Sequence, residues 1–203
     1  MSLVHRIFPS LLLGFALVAP LGVQAKQRVL SLNDVTASPL SLMVAKKIDV
    51  PLVLVLDPAK VQDSWPMHKK YAVADWSSFV SRDLKSSMEN YFSTVTVLAP
   101  GDAMPDGPHL VADVKIDRVQ LRPIETGGLT YNVMQMQWGF AVRAAGAEDY
   151  LFSFAGTASS KETYASALDG LGQLIESAIG GLLQAWTEKD VPTAIRGAMV
   201  PAK

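Results

Sequence analysis

The sequence predicts an α/β fold: a two-layer sandwich whose mixed sheet, a β-α-β crossover followed by an antiparallel β-meander, carries two helices on one face. Three observations predict it. Val50-Pro51-Leu52-Val53-Leu54-Val55-Leu56 is a continuous apolar run, which suits a strand covered on both faces. Between Leu110 and Phe154 apolar residues recur at every second position. In the stretches Trp76–Tyr91 and Tyr164–Trp186 they recur at threes and fours, the spacing of a helix face.

In chain order, residues 1–25 read as a cleavable signal peptide. His5 and Arg6 form a basic head before the apolar run Ile7–Val23, and Val23-Gln24-Ala25 is a small-residue cleavage site that would leave Lys26 as the new terminus. The run approaches the length of a spanning helix, but Pro9 and Pro20 argue against an uncleaved anchor. Residues 26–49 form an N-terminal arm with one short strand at most. A single α/β domain is expected over residues 50–190, with the Val50–Leu56 strand at the sheet's centre, followed by a loose tail over 191–203.

Within the domain, Asp75 is placed to cap a helix beginning at Trp76, whose buried face collects Phe79, Val80, Leu84, Met88 and Tyr91. The short strand Thr94–Leu98 completes a crossover, so its two strands should be parallel. In the meander, Leu110, Ala112, Val114 and Ile116 face one way and Asp113, Lys115 and Asp117 the other. Val119 and Leu121 break the alternation, which marks a bulge or the strand's exit. After Gly127-Gly128, Met134, Met136, Trp138, Phe140 and Val142 line one face of the clearest strand, and Tyr150, Phe152 and Phe154 line a third. The closing helix carries Gly170, Gly172, Gly180 and Gly181; each costs about 1 kcal/mol against alanine, which predicts close approach to a neighbouring segment.

Composition narrows function. The formal net charge is −1, which gives no electrostatic footprint for nucleic acid. The chain has no cysteine, so the core must hold without disulfides, and thiol chemistry and a lipidated N-terminal cysteine are excluded for this sequence. His68 lies beside two lysines and His109 opens a strand, neither with a second ligand at metal spacing. No Gly-x-Ser-x-Gly elbow occurs, and Gly170-Leu171-Gly172 lies inside a helix rather than after a strand. The expectation is a protein that is not an enzyme, with no cofactor.

The segment Asp57–Ala74 is longer than most connections and is expected to be a loop that carries function. It holds Trp65, Pro66, Met67 and Tyr71 among Lys60, His68, Lys69 and Lys70, apolar anchors within a basic rim. That composition predicts a partner-binding site at Trp65, Pro66, Met67, Lys69, Lys70 and Tyr71. Alternatively Trp65 folds back to plug the end of the sandwich, since large aromatics are usually buried.

The meander reads Leu110-Val111-Ala112-Asp113-Val114-Lys115-Ile116-Asp117-Arg118-Val119, then Met136-Gln137-Trp138-Gly139-Phe140, then Phe152-Ser153-Phe154, with Tyr164-Ala165-Ser166-Ala167-Leu168 opening the closing helix. In these core patterns and in element order the chain resembles the ABC-type transport auxiliary lipoproteins. More loosely it is similar to the lipopolysaccharide-assembly and peptidoglycan-synthase-activator lipoproteins of Gram-negative envelopes. Those families carry a lipidated cysteine after the signal, where this chain has Lys26 and Gln27. The resemblance implies a periplasmic accessory protein that binds a partner protein in envelope assembly or transport. The alternative is a periplasmic carrier of a lipid or other apolar ligand, which needs a cavity of roughly 300 Å³ or more.

Overall fold

The computed structural model describes residues 27–35, 46–68, 71–161 and 166–198. The expected signal peptide and cleavage site, residues 36–45 of the arm, Lys69, Lys70, residues 162–165 with the expected helix opening at Tyr164, and residues 199–203 lie outside the described residues.

The main sheet has five strands: β2 (Leu52–Val55), β5 (Val95–Leu98), β6 (Leu110–Thr126), β7 (Leu129–Ala144) and β8 (Tyr150–Ser159), in the order β5-β2-β6-β7-β8. The crossover is as expected, with β2 parallel to β5. β2 is also parallel to β6, so the long strand β6 takes the centre and β2 lies second from the edge. β2 is nonetheless covered on both faces: Leu52, Val53 and Leu54 are all buried, which is what its unbroken apolar run requires. From β6 to β8 the sheet is an antiparallel meander.

The alternation broken at Val119 is a bulge and not an exit. The β6–β7 register shifts between Ile116 and Arg118, so Asp117 is the extra residue, and pairing then resumes through Thr126↔Leu129. Because one residue is added, Val119 and Leu121 return to the face of Ile116 and the inward stripe continues. The turn uses Gly127 and Gly128 at φ 59° and 80°, the two positive values that a two-residue hairpin demands. A second irregularity between Val142 and Arg143 corrects the reading of β8: Phe152 and Phe154 face the core, whereas Tyr150 is exposed and its hydroxyl points to Asp113 on the other face.

On the core face, Trp76, Phe79, Val80, Leu84, Met88 and Tyr91 are buried, as their spacing predicts. The backbone there is π-helical over Phe79–Leu84 before α1 (Lys85–Met88). Asp75 does not cap it. It adopts φ 64° and its carboxylate accepts from the Ser31 hydroxyl, while Asp63 Oδ1 takes the capping position by accepting from Ser77 N (3.3 Å) and Ser77 Oγ (3.1 Å). The closing helix α2 (Ala167–Glu188) is capped by Ser166, whose hydroxyl accepts from Asp169 N. Its stripe Leu171, Ile175, Ile179, Leu182 and Trp186 is buried against the sheet. Phe140, Phe152, Tyr91 and Phe92 all pack around Trp186, with Phe152 at 5.1 Å between ring centres and the others within 6.2 Å.

Two segments depart from expectation. The residues read as a loose tail form α3 (Val191–Ala198), which buries Val191 and Ile195 and is tied back by Arg196 donating to the Lys46 carbonyl (2.6 Å). Asp190 at φ 44° ends α2, and Pro192 sits in the first turn of the next helix, where its missing N–H costs nothing. The Asp57–Ala74 segment is not a loop. It contains β3 (Ser64–His68) and β4 (Tyr71–Ala74), an antiparallel hairpin that pairs in parallel with β1 (Arg28–Ser31) to give a separate sheet of order β1-β4-β3. Pro66 is tolerated because β3 is an edge strand, where a missing backbone donor faces no partner.

Candidate functional site

The small sheet decides the fate of the residues singled out between Asp57 and Ala74. In β3 the side chains alternate: Ser64 and Pro66 are exposed, Trp65 is half-buried against the core and Met67 is buried. Trp65 therefore turns inward, and its indole N–H is enclosed with no hydrogen-bond partner among the described residues. Tyr71 opens β4, partly buried, and its carbonyl accepts from Gln27 Nε2 (2.9 Å). The side chains of His68, Lys69 and Lys70 lie outside the described residues, so of the expected site the structure places Trp65, Pro66, Met67 and Tyr71.

The hairpin also walls a cavity of about 310 Å³ at the seam between the two sheets. Leu30 enters from β1 and Met67 and Tyr71 from the hairpin; Leu121, Asn132 and Met134 come from β6 and β7, and Ser166 and Ala167 from the start of α2. Two residues of the expected binding segment thus meet three residues of the meander. Met134 is the one member of the β7 stripe that reaches this space; Met136, Trp138, Phe140 and Val142 are ordinary core.

A second feature was not read from the sequence. β2 accompanies β6 only over Leu110–Asp113, and β8 accompanies β7 only from Gln135 onward. The pairs from Leu121↔Met134 to Thr126↔Leu129 therefore form a two-stranded ribbon beyond the five-stranded sheet. Its inner side, with Leu121 and Met134, faces the cavity. By strand parity its outer side carries Arg122↔Val133 and Ile124↔Tyr131, with Leu129 beyond them, and Val133 is buried. Leu129 is 60% exposed, and Ile124 and Tyr131 are half-buried. The alternation of Leu129, Tyr131 and Val133 was the available signal; it was masked because the neighbouring Met134–Val142 stripe is stronger and of opposite parity.

The outer face of the main sheet is polar, as expected, but organised. Asp113 accepts from Lys60 Nζ (3.0 Å), Arg143 Nε (3.5 Å) and the Tyr150 hydroxyl (3.5 Å). The hydrogen bond to Asp113 raises the Lys60 ammonium above its ordinary pKa, so its stabilising effect is full below that value and is lost as pH rises past it. His109 is not a surface residue: it is buried and its Nδ1 donates to the Gly107 carbonyl (2.8 Å). Among the described residues no three His, Cys, Asp or Glu side chains gather to hold a metal ion, and no helix is long and apolar enough to cross a membrane.

No family model matches the sequence, and no curated protein matches it. Solved structures do match the fold. A crystal structure of a Xanthomonas campestris protein of family DUF330 superposes with a TM-score of 0.54 at 10% identity, covering 85% of this chain and 99% of that one. A minor lipoprotein from Acinetobacter baumannii gives a TM-score of 0.32 at 14% identity, over 78% of this chain and 99% of that one. The likeness to the first is one of fold.

Proposed function

We propose that this protein is a non-catalytic accessory protein of the Gram-negative envelope, exported to the periplasm, which binds a partner protein through the outer side of the β6–β7 ribbon. The observation that carries the binding role is exposed Leu129 beside the half-buried pair Ile124 and Tyr131, at the end of a ribbon to which no third strand is paired among the described residues. An isolated two-stranded ribbon is marginal in water, and open strand edges invite pairing with another chain. Arg122 flanks the apolar residues and would steer an acidic partner without supplying much affinity. The compartment rests on the reading of residues 1–25 as an export signal, and the accessory role on the resemblance of the meander to envelope families.

The chain has no cysteine, so a single one can be placed at will. Leu129→Cys, treated in intact cells with a thiol crosslinker that cannot pass the inner membrane, should give one discrete protein adduct. The adduct should be lost on adding Ile124→Asp and absent from Glu176→Cys on the exposed face of α2. Equal adducts at positions 129 and 176, or none at 129, would overturn the ribbon as the interface. Reaction only after lysis would overturn export.

A further inference from the structure

We propose that the seam cavity is a binding site for a single acyl chain with an uncharged head, such as a monoacylglycerol. Its walls are apolar on two sides: Leu30 and Met67 from the small sheet, Leu121 and Met134 from the ribbon. One methionine in each wall, Met67 and Met134, gives it flexible, polarizable sides that adapt to a chain of variable shape. At about 310 Å³ the space stands at the lower end of the ligand-pocket range, which fits one slim chain and excludes a two-chain lipid. It is not a packing defect, since an interior normally leaves few voids larger than a water molecule.

The polar part of the lining selects the head. Among the described residues no charged side chain lines the cavity, so a carboxylate or phosphate entering it would lose hydration with none of these to replace it. Two neutral groups are present. Ser166 Oγ accepts from Asp169 N, and its own O–H, a donor, has no acceptor among the described residues. The Asn132 carboxamide also lines the cavity, and Asn132 is exposed at the rim, where it can both donate and accept. An ester carbonyl accepts from both, and a glycerol hydroxyl donates to the amide oxygen. The site is separate from the outer side of the ribbon, so neither binding role depends on the other.

The test is a titration of the full chain, labelled at methionine methyl carbons, with 1-monolauroylglycerol below its aggregation limit. The Met67 and Met134 signals should shift together and saturate, while Met88, buried at the end of α1, stays put. Laurate at about pH 8, ionised under those conditions, should bind at least about tenfold more weakly. Ala167→Phe, which fills the cavity from its helix wall, should weaken binding by at least about tenfold with an unchanged circular dichroism spectrum. Absence of a saturable shift at Met67 and Met134 in the unmodified chain overturns the site, whatever the variant does. Equal affinity for laurate overturns the uncharged head, and full affinity in a folded Ala167→Phe protein overturns the location.

Discussion

Phe154 shows how one residue can set opposite demands on two glycines. Its ring meets Trp138 edge-on at 5.4 Å between centres, and it lies over Gly156, where a Cβ would come within 2.6 Å of Phe154 Cζ. The tip of the same ring also approaches Gly181 of α2, where a Cβ would lie 3.8 Å from Cζ, an ordinary contact. Close approach, the expected reason for the helix glycines, thus applies only loosely at Gly181. Gly181→Ala should stabilise the protein by about 0.5–1 kcal/mol, because helix propensity improves without a clash. Gly156→Ala should destabilise it by about 1–3 kcal/mol, because the ring must leave its place against Trp138. Urea denaturation of the two variants checks both; a shift of the same sign in each would refute this account of Phe154.

Among the elements, the Asp117 bulge permits an equally sharp comparison. With the extra residue removed, Ile116, Arg118 and Val119 alternate regularly and every later inward residue keeps its face. Deleting Asp117 should therefore leave a folded protein whose ribbon is straighter, since bulges bend and twist a strand. The cost should fall on the small sheet, with faster amide exchange at Met67 and Val73 than in the parent chain. Deleting Gln120 instead turns Leu121 to the outer side and should abolish a cooperative unfolding transition. If the two deletions behave alike, Asp117 is not the bulge residue.

The elements also show what the sequence made legible. Strands with a single buried face, β6 to β8, and the stripes of α2 and the first helix follow from periodicity, because burial on one side imposes it. The small sheet did not, for two reasons. Its strands are short, and Pro66 with the His68-Lys69-Lys70 run reads as a turn unless the strand is known to be an edge. Its partner β1 is distant in sequence, and no local pattern reports a parallel pairing such as Arg28↔Tyr71. Met67 and Tyr71 could be singled out from composition, but the cavity that they share with Leu121 and Met134 exists only once two sheets meet.

For the molecule as a whole, the placement of β2 is decisive. It lies between β5 and β6 and is parallel to both, with Leu54 paired to Val97 on one side and Ala112 on the other. Parallel strands cannot be joined by a tight turn, so each of these pairings closes a long stretch of chain before it returns any contact energy. A fragment ending at His109 holds β2 and β5 but lacks the strand that covers the other edge. It should be digested by a brief pulse of protease as an unfolded chain would be, whereas the intact protein resists; a resistant fragment would show that the first half closes on its own. The consequence concerns time. A sheet whose central strand is made in the second half of the chain stays threadable while synthesis proceeds, and that delay is the condition that passage through a narrow membrane pore sets for any exported protein.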